Sequence, residues 1–263
     1  SSERFGIFCY NEGENHKWKV SDQMEIFAHR GYSAKYPENT MVAFRAAMEY
    51  EIDGIELDVH MTKDGQIVVI HDEKVNRTTN GKGYVKDLTL AEIKKLDAGS
   101  KVNPLFKGER VPTLEEVIQL LEPTNLKLNI ELKSNVFPYY GMDMEVLKLV
   151  EKYGMQNRII ISSFDHETLW RIAKVAPHIE TAPLLSNIVV EPWTYAKSIG
   201  ARAIHISGYF MMRQGAIDAV KQGAKVRVYT INDVEHMKLL SGSQVAGFFT
   251  DEVEKAVEWR KKK

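Results

Sequence analysis

The stretch Gly54–Asp72, GIELDVHMTKDGQIVVIHD, holds two short apolar runs separated by a polar tip. The first, GIELDV, alternates as a strand does, and residues two apart on a strand share a face. Glu56 and Asp58 therefore point one way, while Ile55, Leu57 and Val59 point the other. The second run, QIVVIHD, returns after Asp64-Gly65. Asp-Gly between two such runs signals a tight hairpin, because a type I′ turn needs positive φ at both central residues. A two-residue tip predicts Lys63 opposite Gln66 and, counting back along the ladder, Asp58 opposite His71. Local geometry would then gather two carboxylates and a histidine. Charged residues are mostly exposed, so an E-x-D pair more often marks a solvated face. Here the acids interrupt an apolar strand and face a histidine, which favours a functional role.

Outward from this hairpin, MEIFAH (24–29) is a candidate buried strand ending at His29-Arg30-Gly31. After the polar loop YSAKYPEN, Thr40 or Asn39 can cap the helix MVAFRAAMEYE. On the other side, residues 72–112 are turn-rich with one short helical piece, Leu90–Leu96, and read as an insertion. Thr113 starts the helix LEEVIQLLE, and Glu116 completes a capping box. From Leu126 onward strands and helices alternate regularly. Without the returning hairpin arm, strands begin near residues 24, 54, 126, 158, 179, 202, 225 and 245. Eight β/α units in one chain predict an α/β fold, a TIM (β/α)8 barrel with a small inserted subdomain after strand two. Its active site belongs at the C-terminal strand ends. An open doubly wound sheet is the alternative, but no G-x-G-x-x-G follows the first strand. Residues 1–22 read as an irregular arm carrying Phe5, Phe8, Tyr10 and Trp18, and 23–263 as one barrel domain with 72–112 inserted.

The 263 residues are 44% hydrophobic and 27% charged, the composition of an ordinary globular protein. A net charge of −1 gives no reason to expect nucleic acid or an anionic membrane surface as partner. The one cysteine, Cys9, excludes an internal disulfide and suits a reducing compartment. No apolar run approaches the ~18 residues of a membrane span, so a cytoplasmic location is expected. The sequence starts at Ser1 without methionine, so a few residues or a targeting segment are expected to have been removed. Oligomeric state stays open.

The polar residues at the C-terminal strand ends form one constellation. Strand one ends in His29 and Arg30, strand two carries Glu56 and Asp58 with His71 returned beside them, and strand three carries Glu131 and Lys133 on one face. Three carboxylates from neighbouring strands suit one hard divalent cation, Mg²⁺ or Ca²⁺, whereas zinc prefers more nitrogen or sulfur ligands. The alternative is a salt-bridge network with Arg30 and Lys133, but three crowded acids repel unless a cation offsets them. Two histidines around an acidic cation site, with two further cations, suggest phosphoryl chemistry. One ring takes a proton from the attacking oxygen and the other gives one to the leaving alcohol, as in phosphodiester cleavage.

The chain resembles the glycerophosphodiester phosphodiesterase family, TIM barrels related to the phosphatidylinositol-specific phospholipases C. The matching pieces are AHRG (28–31), PENT (37–40), DGIELDV (53–59), TKDG (62–65), VVIHD (68–72), RTTNGKG (77–83), PTLEEV (112–117), NIELK (129–133), SSF (162–164) and YTIND (229–233). The likeness runs from about Ile26 to the C-terminus. It implies Glu56, Asp58 and Glu131 as metal ligands, His29 and His71 as the acid/base pair, and Arg30 and Lys133 as phosphate contacts. Phe164 and Tyr229 are further candidates for substrate contact. The family places a small subdomain where residues 72–112 fall. It usually has tryptophan where this chain has Tyr229, which bears on the slot for the substrate's alcohol, and nothing matches 1–22. The implied reaction is hydrolysis of a small glycerophosphodiester to glycerol 3-phosphate and an alcohol. The alternatives are a lysophospholipase D on lipid-bearing diesters and a barrel that binds a phosphodiester without turning it over. Exposed apolar residues at the mouth would favour the lipid substrate; a small, charged, closed mouth would favour the water-soluble one.

Overall fold

A computed structural model describes residues 24–262; the N-terminal arm expected over 1–22 lies outside them. In chain order the elements are β1 (Glu25–His29), α1 (Met41–Met48), β2 (Gly54–Met61), β3 (Ile67–Val69), α2 (Leu90–Ile93), α3 (Leu114–Leu121), β4 (Lys127–Leu132), α4 (Met142–Lys152), β5 (Ile159–Ser163), α5 (His166–Val175), β6 (Glu180–Leu185), α6 (Pro192–Ser198), β7 (Ala203–Ser207), α7 (Gln214–Lys221), β8 (Lys225–Tyr229), α8 (Val234–Ser241), β9 (Gly247–Thr250) and α9 (Val253–Lys261). The sheet runs β1-β9-β8-β7-β6-β5-β4-β2-β3, and a further β1–β2 pairing closes it. Apart from β3, which returns antiparallel beside β2, every pairing is parallel. Eight parallel strands thus close a (β/α)8 barrel, as the count of β/α units predicts.

Alternation along the strands divides core from lumen. Ile55, Leu57 and Val59 of β2 and Leu128, Ile130 and Leu132 of β4 are all fully buried in the layer between barrel and helices. The intervening Glu56, Asp58, Asn129 and Glu131 face inward. At the N-terminal end Arg227 closes the lumen. Its Nε donates to Glu25 Oε2 at 2.8 Å, its Nη1 to Glu180 Oε1 at 2.6 Å, and it is 1% exposed.

Helix starts follow the residue chemistry. Thr40, and not Asn39, caps α1, its hydroxyl accepting from Ala43 N. Thr113 and Glu116 form the reciprocal capping box at α3, and Thr89 with Glu92 forms a second at α2. Residues 70–111 wrap a small apolar cluster of their own, Ile70, Val75, Val85, Ile93, Ala98 and Val111, against Val68 of the hairpin. Ring contacts join this segment to its neighbours: Phe106 to Tyr36 after β1, and Tyr84 to Phe137 after β4, each with centroids 5.5 Å apart.

The hairpin register differs from the expectation by one residue. Val59 pairs with Val69 and Met61 with Ile67. Thr62 N donates to Gln66 O, so three residues, Lys63, Asp64 and Gly65, form the tip. Only Gly65 (φ +78°) takes the left-handed conformation there, the pattern of a three-residue hairpin loop. Asp58 therefore lies opposite Ile70, whose N–H reaches Asp58 O at 3.0 Å, and not opposite His71. A one-residue slip would put His71 on the wrong face if the ladder continued. β3 instead ends at Val69, and the free chain carries His71 into the mouth.

Candidate active site

His29, Arg30, Glu56, His71, Glu131, Lys133, Phe164 and Tyr229 all line one cavity of about 230 Å³ in the barrel lumen, open at the C-terminal mouth. Asp58, 1% exposed, sits in the wall behind them. A larger groove of about 550 Å³ beside α6 and α7 contains none of these residues.

The register pairs Asp58 of β2 with Glu131 of β4. One carboxylate oxygen from each of Glu56, Asp58 and Glu131 lies within 4.8 Å of the other two. Crowding three acids in a buried place has electrostatic consequences. Burial first, then the charge of Asp58, pushes the pKa of Glu56 up to about 8. Burial and Asp58 raise Glu131 in the same direction. Burial would raise Asp58 too, but Arg30, His71 and Lys133 outweigh it and hold Asp58 near 2. The salt-bridge network does form: Arg30 Nε lies 3.2 Å from Asp58 Oδ2, and Lys133 Nζ 2.9 Å from Glu131 Oε1. Two cations nevertheless face three acids, and Arg30 is shared with Glu38 at 3.1 Å. Asp58 Oδ1 is buried with no hydrogen-bond partner among the described residues. Oxygen-only donors, an unpartnered carboxylate oxygen and excess negative charge together fit a hard divalent cation.

The histidines flank this cluster with matching orientation. His29 Nδ1 donates to Asp251 Oδ1 at 2.7 Å, leaving Nε2 4.0 Å from Glu56. His71 Nδ1 donates to Asp72 Oδ1 at 2.8 Å. Lys133 Nζ donates to His71 Nε2 at 3.3 Å, so that nitrogen presents its lone pair. Burial would lower the pKa of His29, yet the facing charges of Glu56 and Asp251 raise it overall. Asp251 itself is held near 2, because the hydrogen bonds from His29, Asn232 and Ser33 outweigh its burial. Phe164 stands edge-on to Tyr229 at 6.4 Å and within 6.0 Å of Lys133 Nζ, which makes an aromatic wall beside the cations.

Several supporting residues escaped the sequence reading. His60 continues the Glu56–Asp58 row by one more two-residue step. It is fully buried, and its Nε2 donates to His71 O at 2.9 Å. Extending the strand periodicity would have found it. Asn39, within the quoted PENT, donates to Asp58 Oδ2 at 2.9 Å. Glu38 accepts from both Arg30 and Arg77. Asp251 directly follows the last strand, and no local signal ties it to His29, 222 residues earlier.

The sequence profile described as "Glycerophosphoryl diester phosphodiesterase family" matches residues 29–255. A curated glycerophosphodiester phosphodiesterase from Caldanaerobacter subterraneus is 44% identical over 229 residues, 87% of this chain and 94% of that protein. Another, from Bacillus altitudinis, is 41% identical over 241 residues, 90% and 98% of the two chains. Among solved structures, a phosphodiesterase from Oleispira antarctica in complex with the product sn-glycerol-3-phosphate superposes with a TM-score of 0.82. It is 30% identical, with 89% of this chain and 96% of that one covered. A glycerophosphodiester phosphodiesterase from Agrobacterium tumefaciens gives 0.79 at 31% identity, covering 90% and 100%. With the profile spanning most of the barrel and relatives matched over nearly their whole length, the chain belongs to the glycerophosphoryl diester phosphodiesterase family and is an enzyme, a phosphoric diester hydrolase.

Proposed function

We propose that the enzyme hydrolyses small glycerophosphodiesters to sn-glycerol 3-phosphate and an alcohol, using His29 and His71 as its proton-transfer pair and one divalent cation. The observation that carries this reading is two imidazoles, each locked through Nδ1 to a carboxylate, on either side of three clustered acids. Glu56, Asp58 and Glu131 would hold the cation, Mg²⁺ or Ca²⁺, which when bound supplies charge stabilisation to the phosphate oxygens. Arg30 and Lys133 add fixed positive charge beside it and orient the phosphate. Glu56 and Asp251 favour the protonated form of His29, which suits it to protonate the leaving alcohol. The lone pair on His71 Nε2, opposite in role, suits it to take the proton of the attacking oxygen. Residues 72–112, which pack Phe106 and Tyr84 on the loops after β1 and β4, and Tyr229 in the cavity wall are proposed to influence the choice of leaving group. The family relationship supports the substrate class.

A lysophospholipase D activity is the second reading, favoured by one observation: Val136 and Tyr140 after β4, Ile188 and Val190 after β6, and Tyr209 and Met212 after β7 are large exposed apolar residues. All lie on loops at the C-terminal end of the barrel. A panel of glycerophosphocholine and lysophosphatidylcholine, each with and without divalent cation, separates the readings. Turnover of glycerophosphocholine that depends on the cation is expected. Turnover of lysophosphatidylcholine alone, or full activity after exhaustive chelation, overturns the corresponding part of the proposal.

A further inference from the structure

Below the carboxylates the cavity continues to a floor that the proton transfers do not use. Its walls there are Asn129 on β4, Ser162 on β5, His205 on β7 and Phe249 on β9. His205 is fully buried and stands edge-on to Phe249, with centroids 4.9 Å apart. Neither of its ring nitrogens has a hydrogen-bond partner among the described residues. Asn129, 2% exposed, donates from Nδ2 to Ser162 Oγ at 2.9 Å, while its Oδ1 is likewise unpartnered. Buried polar atoms are nearly always paired, so three unpaired ones lining one well point to a ligand that pairs them.

The donor and acceptor types identify that ligand's chemistry. Burial, followed by the charge of Arg227 beneath, drives the pKa of His205 well down, so its ring is neutral, with one N–H and one lone pair. Asn129 Oδ1 can only accept. A hydroxyl donates and accepts and so satisfies either atom. A phosphate dianion or carboxylate has no proton to offer Asn129 Oδ1 or the acceptor nitrogen.

Distance along the strand supplies the rest. Asn129 precedes Glu131 by two residues on the same face of β4, a separation of about 6.6 Å along a strand. That matches the reach of a three-carbon chain from a phosphate held at the carboxylates to its far hydroxyl. Resting on the glycerophosphodiesterase reading above, we propose that Asn129 and His205 form a subsite for the terminal hydroxyl of the substrate's glycerol. The glycerol half enters the well, and the head group stays at the mouth. An acyl chain on that oxygen would remove its proton and meet a floor closed by Phe249 and Arg227, so this subsite selects against 1-acyl lysophospholipids.

The test compares sn-glycero-3-phosphocholine with the propane-1,2-diol analogue, which lacks only the terminal hydroxyl and keeps the one beside the phosphate. A site built to bond a hydroxyl discriminates strongly against its absence. For the cation-loaded wild-type enzyme, kcat/KM for the analogue should be lower by at least about tenfold. His205→Phe should bring that ratio close to one, and His205→Gln should preserve part of it. A wild-type ratio near one, or a ratio that His205→Phe leaves unchanged, overturns the subsite. Should neither ester be hydrolysed, the parent reading fails, and the subsite is then judged by calorimetry. Wild-type protein should bind sn-glycerol 3-phosphate at least about tenfold more tightly than propane-1,2-diol phosphate; equal affinities overturn it. Neither wild-type comparison requires a variant to fold.

Discussion

His29 and His71 flank the acid cluster with different surroundings at Nε2, that of His29 lying 4.0 Å from Glu56 and that of His71 accepting from Lys133, so single replacements should behave differently. Alanine at either position should cost about 10²–10⁴ in turnover, the range for a positioned acid or base. With a p-nitrophenyl leaving group, which needs no proton, the His29→Ala enzyme should recover much of its rate, and the His71→Ala enzyme should not. The reverse pattern would exchange the two roles, and equal losses on both substrates would refute the acid/base division. Beside Glu56, Asp251 also raises His29, through the 2.7 Å bond to Nδ1. Asp251→Ala removes a negative charge that favours the imidazolium, so the His29 pKa should fall. An NMR titration of the His29 ring should show that downward move, and an unchanged midpoint would deny Asp251 its positioning role. The carboxylate of Asp251, held near 2, is ionised throughout the working range, so the effect should not depend on pH above about 4.

At the scale of elements, the β2–β3 hairpin and the start of α3 act together. Thr113 is bridged to Val68 of β3, and its hydroxyl and backbone N–H complete the capping box with Glu116. Thr113→Ala removes the side-chain acceptor for the Glu116 N–H and should cost about 1 kcal/mol of stability. Denaturant melts with an unchanged m-value would confirm a pure loss of the cap, whereas no change in midpoint would show that the β-bridge alone secures the helix start. The tip of the same hairpin depends on Gly65 at φ +78°. Only that residue there needs the left-handed region, which is why Asp64 need not be strained and the loop closes over three residues.

The whole barrel carries the electrostatic consequence of its acid cluster. Glu56 titrates near 8 in the fold, against an ordinary value of 4.5, and Glu131 is raised as well. Between those values the raised carboxylates keep protons that the unfolded chain releases. His205 and His60, whose pKa burial lowers, act oppositely up to their ordinary 6.5; above it stability falls as pH rises. In EDTA the melting temperature should decline between about pH 6.5 and pH 8, where the raised His29 adds to the carboxylates. Millimolar Mg²⁺ or Ca²⁺ should flatten that decline, because a cation bound only by the folded state adds stability by mass action. A pH-independent melting temperature in EDTA, or no effect of either ion, would argue against the cluster as a cation site.

Much of this molecule is dictated by spacing of two to four residues. Strand periodicity puts Glu56 and Asp58, and Glu131 and Lys133, on shared faces whatever the rest of the chain does, because side chains alternate along any strand. Eight repeats of strand and helix leave few packing solutions besides the closed barrel, and closure brings the strand ends to one mouth. Relations that depend on closure itself were not legible. Asp251 meets His29 because β9 pairs beside β1, 222 residues away in the chain. The hairpin register turned on which of Asp64 and Gly65 took positive φ, a choice made where the hairpin packs and not written in the dipeptide. The ring nitrogens of His205 and the Oδ1 of Asn129 are seen to be unpaired only in the closed barrel, where no described residue bonds them. Periodicity tells a side chain which face to take; only the closed barrel decides what it finds there.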